Sequence, residues 1–230
     1  MSRTVPDLPT AVKDDLLHLE GVTRIVPARR FHQVFAESTI ADTLYYLESG
    51  MVKVFKRSPD GKEIILRLIF PGEIFGEQAL GSEKPRGFAA DMIQDGAVIG
   101  IPREAFIHYC VANASVWLTV AELLAVRQRQ LEKKIEMLSL HDVEHRILYY
   151  LMDLAQQMGA APGPEEVSIP LSQGELASLI GATRETTSTT LNTLARRGVI
   201  RLGRRLIILP SLDAMSAVVG APVAKAAGRS

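Results

Sequence analysis

The pattern of apolar and polar positions changes twice along the chain, and each stretch predicts a different kind of element. From Thr23 to Ile101, short apolar runs alternate with polar residues. VTRIVPARR, TLYYLESG, MVKVFKR, EIILRLIF and AVIGIPRE read as strands, with turns at Ser49-Gly50, Pro59-Asp60-Gly61, Pro71-Gly72 and Asp95-Gly96. Short strands at close spacing predict a β-roll or barrel rather than a βαβ sheet. A short amphipathic helix over about Ala11 to Leu19 precedes them, and Glu104 to Tyr109 forms another after Pro102.

The second pattern covers residues 114–140. Trp117, Leu124, Leu131 and Leu138 fall seven apart, with Ala121, Gln128 and Ile135 four residues after the first three. That is a heptad seam on one long helix, and a seam of this kind calls for a partner helix. The first turns are expected to pack on the chain's own β domain. The RQRQLEKKIE stretch is charged on all sides, which favours a symmetric homodimer over such packing. Ser139 to Asp142 reads as a hinge, with Asp142 capping the helix HRILYYLMDLAQQM, and the loop GAAPGPEE follows.

The third pattern begins at Pro170. Ser172 and Glu175 form a capping box ahead of Leu176, Leu179 and Ile180, and Gly181 ends that short helix. Thr183 caps a second helix with Glu185 and Thr186 in its first turn; Leu191, Leu194, Val199 and Ile200 supply an inward face. Arg184, Glu185, Thr187, Ser188, Thr189 and Asn192 are left for the outer face. Two crossing helices of this kind predict a helix-turn-helix, whose second helix meets base edges in the major groove of double-stranded DNA. Arg donates to guanine O6 and N7, Glu accepts from cytosine N4, and Thr methyls touch thymine methyls. Val199 to Arg201 and Leu206 to Leu209, joined by a turn at Gly203, read as a two-stranded wing. A small helical unit with a solvated charged face is the plainer alternative.

Composition narrows the picture. The 230 residues carry no net charge and are 47% hydrophobic, enough for two domains with cores of their own. DNA affinity must then come from segregated charge. From Pro170 to Pro210 there are six arginines against two glutamates, and Arg196, Arg197, Arg201, Arg204 and Arg205 are expected to neutralise phosphates. The single Cys110 excludes an internal disulfide and any Cys-based iron–sulfur or zinc site within one chain, and is expected to be a buried small apolar residue. No apolar run approaches ~18 residues, and MSRTVPDLPT lacks a signal-peptide core, so a cytoplasmic location and no membrane partner are expected. VVGAPVAKAAGRS at the C-terminus is expected to fray. His18, His32, His108, His141 and His145 show no ligand spacing for haem, no metal site is expected, and no nucleophilic triad or carboxylate pair suggests an enzyme.

Three segments carry a resemblance to a known family. They are PGEIFGEQAL (Pro71 to Leu80) followed by Arg86, HDVEHRILYYLMDLA (His141 to Ala155) and GATRETTSTTLNTL (Gly181 to Leu194). With the order β-roll, long helix, hinge and winged helix-turn-helix, the chain resembles the cyclic-AMP receptor protein/FNR (CRP/FNR) regulators from about Leu16 to Leu212. The resemblance implies an α+β fold: a cyclic-nucleotide-binding-type β-roll over 1–113, a dimerisation helix over 114–140, a winged helix-turn-helix over 141–213 and a flexible tail over 214–230. It implies a homodimeric, sequence-specific DNA-binding transcription regulator, modulated by cyclic AMP or a related cyclic nucleotide and acting with RNA polymerase. A regulator answering another nucleotide or small effector, one that needs no effector, and a nucleotide-binding signalling subunit without a DNA role, are the alternatives.

In the effector set that the resemblance implies, Gly76 lets the backbone approach the ligand and Glu77 accepts from the ribose 2′-hydroxyl. Arg86 pairs with the cyclic phosphate, and Gln78, Ala79 and Gly87 lie around the same anion, with backbone N–H donors near Gln78 and Gly87. Glu77 and Arg86 pairing with each other is the plainer reading. Two positions depart from the family pattern. Gly87 stands where Ser or Thr is usual, and Leu131 and Glu132 stand where a Thr-Ser pair reaches the adenine in the cyclic-AMP-binding member. The implied DNA-contacting set is Ser172, Gln173, Thr183, Arg184, Glu185, Thr187, Ser188, Thr189 and Arg204, on a TGTGA-like palindrome. Thr189 replaces a base-reading Arg, and Gln173 a phosphate-contacting Arg, so a related site with altered reading at one base step is expected.

Overall fold

Alternating inward and outward residues in the first half of the chain build an antiparallel roll. The computed structural model describes residues 10–81, 84–161, 163, 165–213 and 215. The segment expected to fray at the C-terminus lies outside them. The chain divides into two compact units between Ile135 and Glu136, inside one long helix.

In the first unit, α1 (Thr10–Leu17) leads into β1 (Thr23–Ala28), β2 (Gln33–Phe35), β3 (Thr43–Arg57), β4 (Glu63–Ile69) and β5 (Ile74–Phe75). A short 3-10 turn (Glu77–Leu80) follows, then β6 (Ala89–Pro102), α2 (Arg103–Ala112) and α3 (Ser115–Leu140). The sheet runs β1-β6-β3-β4, with β2 on β6 and β5 on β3, and every pairing is antiparallel.

Two glycine positions read as turns are bulges instead. β3 runs unbroken through Gly50, and β6 begins at Ala89 rather than at Ala97. The register between the two strands shifts around Ser49 and Met51. A Cβ on Gly96 would stand 2.0 Å from the Ser49 carbonyl oxygen, and one on Gly50 2.8 Å from that of Asp95. The backbones pass too close there for side chains, so the strands bend without ending.

Phe35, Leu47, Val52, Val54, Ile69, Phe75 and Val98 fill the roll. A second cluster joins the sheet to the helices through Leu44, Ile99, Ile101, Phe106, Cys110, Val116, Val120 and Leu123. Each fully buried Leu, Ile or Phe side chain contributes about 1.5–3 kcal/mol. Thus α3 carries two apolar stripes. Val116, Val120, Leu123 and Val126 face the roll. Trp117, Leu124, Leu131 and Ile135 remain 39%, 45%, 56% and 56% exposed along the heptad seam.

The second unit starts in the last turn of α3 and contains α4 (Val143–Gln157), β7 (Val167–Ile169), α5 (Gln173–Ile180), α6 (Arg184–Arg196), β8 (Arg201–Gly203) and β9 (Leu206–Leu209). Leu138, assigned to the seam by its spacing, packs here instead: its Cδ2 would lie 2.7 Å from a Cβ on Gly181. Asp142 accepts from the His145 amide and caps α4. The wing is a three-stranded sheet ordered β7-β9-β8. Val199 and Ile200 precede β8 rather than opening it, and the hairpin turns at Arg204 and Arg205 after Gly203. The additional strand, β7, lies beyond the loop GAAPGPEE, in a run of three residues too short to show a period.

Candidate functional site

The cassette expected to hold an effector runs from Pro71 to Arg86. Gly76 has φ 79°, and a Cβ there would meet the Tyr45 ring at 3.0 Å and Arg86 Nη1 at 3.1 Å. Only glycine lets the backbone lie this close to the guanidinium. Arg86 is buried, donating from Nη2 to the Thr43 carbonyl at 2.6 Å and more weakly from Nη1 to the Gly76 carbonyl at 3.4 Å. Its guanidinium lies over Phe35 at 4.3 Å and Tyr45 at 5.3 Å from the ring centroids.

Glu77 does not pair with Arg86. Its Oε1 accepts from Arg67 Nη2 at 2.6 Å. Burial pushes its carboxyl up, but the charges of Arg67 and Arg127 outweigh burial and hold it below the ordinary value. Among the described residues of the cassette, three buried polar side-chain atoms have no protein partner: Glu77 Oε2, Gln78 Oε1 and Arg86 Nε. An ionised acceptor and a guanidinium donor with free capacity suit a ligand bearing hydroxyls and an anionic phosphate.

Other members of the expected set stand differently. Ala79 is fully buried in the apolar cluster under the sheet. The Gly87 amide donates to the Glu37 carbonyl at 3.0 Å, so it is not a free anion donor here. Gly87 has φ 76°, a conformation that strains the Ser or Thr usual there. Leu131 and Glu132 are exposed, and Glu132 accepts from Gln128 at 2.9 Å. Arg127 of α3 is bonded to the cassette, donating to Glu73 Oε2 at 2.8 Å and to the Ile74 carbonyl at 3.3 Å. Arg67, Glu73 and Arg127 were not singled out from the sequence. The signal was an arginine at an inward position of the apolar run EIILRLIF, and another on the roll-facing stripe of α3.

The second unit presents the helix-turn-helix. Ser172 and Glu175 form the capping box, with the Ser172 hydroxyl donated to Glu175 at 2.6 Å and the Glu175 amide donating back at 3.2 Å. Such a cap stabilises by about 1 kcal/mol. Gln173 is half-buried at the start of α5. Thr183 caps α6 by accepting from the Thr186 amide at 3.1 Å. Arg184, Glu185, Thr189, Asn192 and Arg204 are exposed, and Ser188 is half-buried. Thr187 corrects the expected outer face: it is fully buried, and its hydroxyl donates to the Thr183 carbonyl at 2.8 Å. The helical period explains this, because Thr187 shares the inward face of Leu191 and Leu194.

The basic excess is also less free than the count suggests. Arg197 pairs with Glu144 at 2.6 Å, Arg201 with Glu166, and Arg205 with Glu175 at 3.1 Å. Two of those carboxylates lie outside the segment over which the charges were counted. These are exposed arginines, and pairs of this kind contribute about 0–1 kcal/mol, so DNA phosphates can displace them.

An antiparallel roll with a glycine-bearing cassette, followed by a long helix and a winged helix-turn-helix, is the architecture of a DNA-binding transcriptional regulator with a cyclic nucleotide-binding-type domain. Residues 26–113 match the model of the cyclic nucleotide-binding domain, and residues 145–218 that of the Crp-like helix-turn-helix domain. The chain is 32% identical over 188 residues to a CRP-like cAMP-activated global transcriptional regulator of Mycobacterium tuberculosis, covering 81% of this chain and 84% of the relative. It is 34% identical over 170 residues to a cyclic AMP receptor protein of Thermus thermophilus, covering 74% and 76%. The solved structure of a CRP-family transcriptional regulator from Thermus thermophilus superposes with a TM-score of 0.72 at 30% identity, over 86% of this chain and 97% of that one. The chain belongs to the CRP/FNR family of transcriptional regulators, which are not enzymes. The Crp-like domain sets aside a signalling subunit without a DNA role. No helix among the described residues is long and apolar enough to cross a membrane.

Proposed function

We propose that this chain is a homodimeric regulator that binds a TGTGA-like palindrome in response to cyclic AMP. The observation that carries the ligand is the cassette itself, where an ionised Glu77 with a free Oε2 sits in the same short segment as Arg86 with a free Nε. Glu77 would take the ribose hydroxyl and Arg86 the cyclic phosphate, with Gly76 keeping the backbone clear. The name of the mycobacterial relative, cAMP-activated, supports the same choice. The exposed seam of α3 supports the dimer, whose two-fold axis matches a palindrome with half-sites about 34 Å apart. On DNA, Arg184 and Glu185 at the start of α6 would read base edges, while Thr183, Ser188, Thr189, Gln173, Ser172 and Arg204 would position the helix. RNA polymerase is the partner such a complex would recruit or block.

Calorimetric titration of cyclic AMP into the purified protein tests the pocket. Saturable binding by the wild type that is lost in Arg86→Ala, with the melting profile retained, is the expected result. Equal binding by both proteins removes the pocket assignment, and no binding by either favours a regulator without this effector.

A further inference from the structure

Gly174 occupies the second position of α5, where glycine is a poorer helix former than alanine. Its backbone is not in the left-handed region, so no turn requires it. The reason lies on the next helix. A Cβ on Gly174 would stand 2.5 Å from Nη2, 2.7 Å from Nε and 3.0 Å from Cζ of Arg184. The guanidinium of the first residue of α6 therefore meets the bare backbone of the first turn of α5 edge-on, through its Nε and Nη2 side.

We propose that Gly174 is a positioning residue for DNA reading, seating the Arg184 guanidinium where the N-terminal ends of the two helices meet. The inference rests on the reading of Arg184 as a base contact. An arginine side chain loses much rotamer freedom when it is ordered, and a seat for one edge of the guanidinium removes part of that freedom before DNA arrives. The contact would be closed by any side chain at 174. A Cβ at 2.5 Å cannot coexist with the seated guanidinium, and the flexible arginine yields before the helix does. The seat thus acts on specificity rather than on folding, and Ala at 174 should stabilise α5.

The test uses operators selected from randomised duplexes, each then substituted symmetrically at one base step, with anisotropy measured in the presence of cyclic AMP. Gly174→Ala, Arg184→Ala and the double variant are compared, and circular dichroism melting confirms that each is folded. Arg184→Ala is expected to abolish discrimination at one base step. Gly174→Ala should lower discrimination at that same step by roughly 3- to 10-fold and have no further effect once Arg184 is gone. If Arg184→Ala removes discrimination and Gly174→Ala leaves it unchanged, or weakens all operators alike, the seat is wrong and the base contact stands. The seat is equally wrong if Gly174→Ala has its full effect in the Arg184→Ala background. If Arg184→Ala itself leaves discrimination intact, the base contact fails and the seat has no reading role.

Discussion

Thr187 carries a hydroxyl and a methyl suited to a DNA groove, yet both are turned inward, because position 187 belongs to the same face as Leu191 and Leu194. Its type suggested the groove, and only its place in the helical period revealed the burial. Glu77 shows the converse. The role proposed for it comes from the family's cassette pattern, but its partner, Arg67, comes from β4 and could not be paired with it from spacing. Asp153 is a third residue governed by its surroundings. Burial in α4 raises its pKa, against the lowering effect of the bond from Gln157 Nε2 at 2.6 Å. A carboxyl raised on folding contributes stability that is complete below its unfolded value, about 3.9, and is lost as pH rises through the folded value. Asp153→Asn keeps an acceptor for Gln157 and removes the buried charge. It is expected to melt above the wild type at pH 7, with the difference closing towards pH 4. A lower melting temperature at pH 7 would contradict the sign.

Among the elements, the long helix and the helix-turn-helix were the most legible, because heptad spacing and caps are local signals. α3 begins at Ser115 and ends at Leu140, within a residue of the expected span. The strands were less legible, since Gly50 and Gly96 look like turn residues whether they close a hairpin or relieve a bulge, and the choice depends on the strand opposite. The two stripes of α3 were only partly separable: the seam was visible, and its end at Leu138 was settled by packing against the Gly181 turn. The exposed stripe makes a specific prediction. Leu124→Asp with Leu131→Asp should shift sedimentation from dimer to monomer while circular dichroism stays unchanged, because neither side chain belongs to the core. A double variant that still sediments as a dimer would place the interface elsewhere.

At the scale of the whole molecule, the chain joins a nucleotide-type roll to a winged helix-turn-helix through one helix that passes from one unit into the other. The order of these parts was legible because each has its own period and its own motif. The state of the pocket was not, since it depends on which buried atoms lack partners, a property of packing. A ligand can switch such a molecule only by binding one state more tightly than the other, so the proposed switch requires that nucleotide and DNA affinities be linked. Fluorescence anisotropy of the purified protein on a labelled TGTGA-type palindrome, with and without cyclic AMP at fixed salt, tests that linkage most directly. Tight binding that depends on cyclic AMP is the predicted result. Equally tight binding without it would contradict a cyclic-AMP switch and leave a DNA-binding regulator driven by another input.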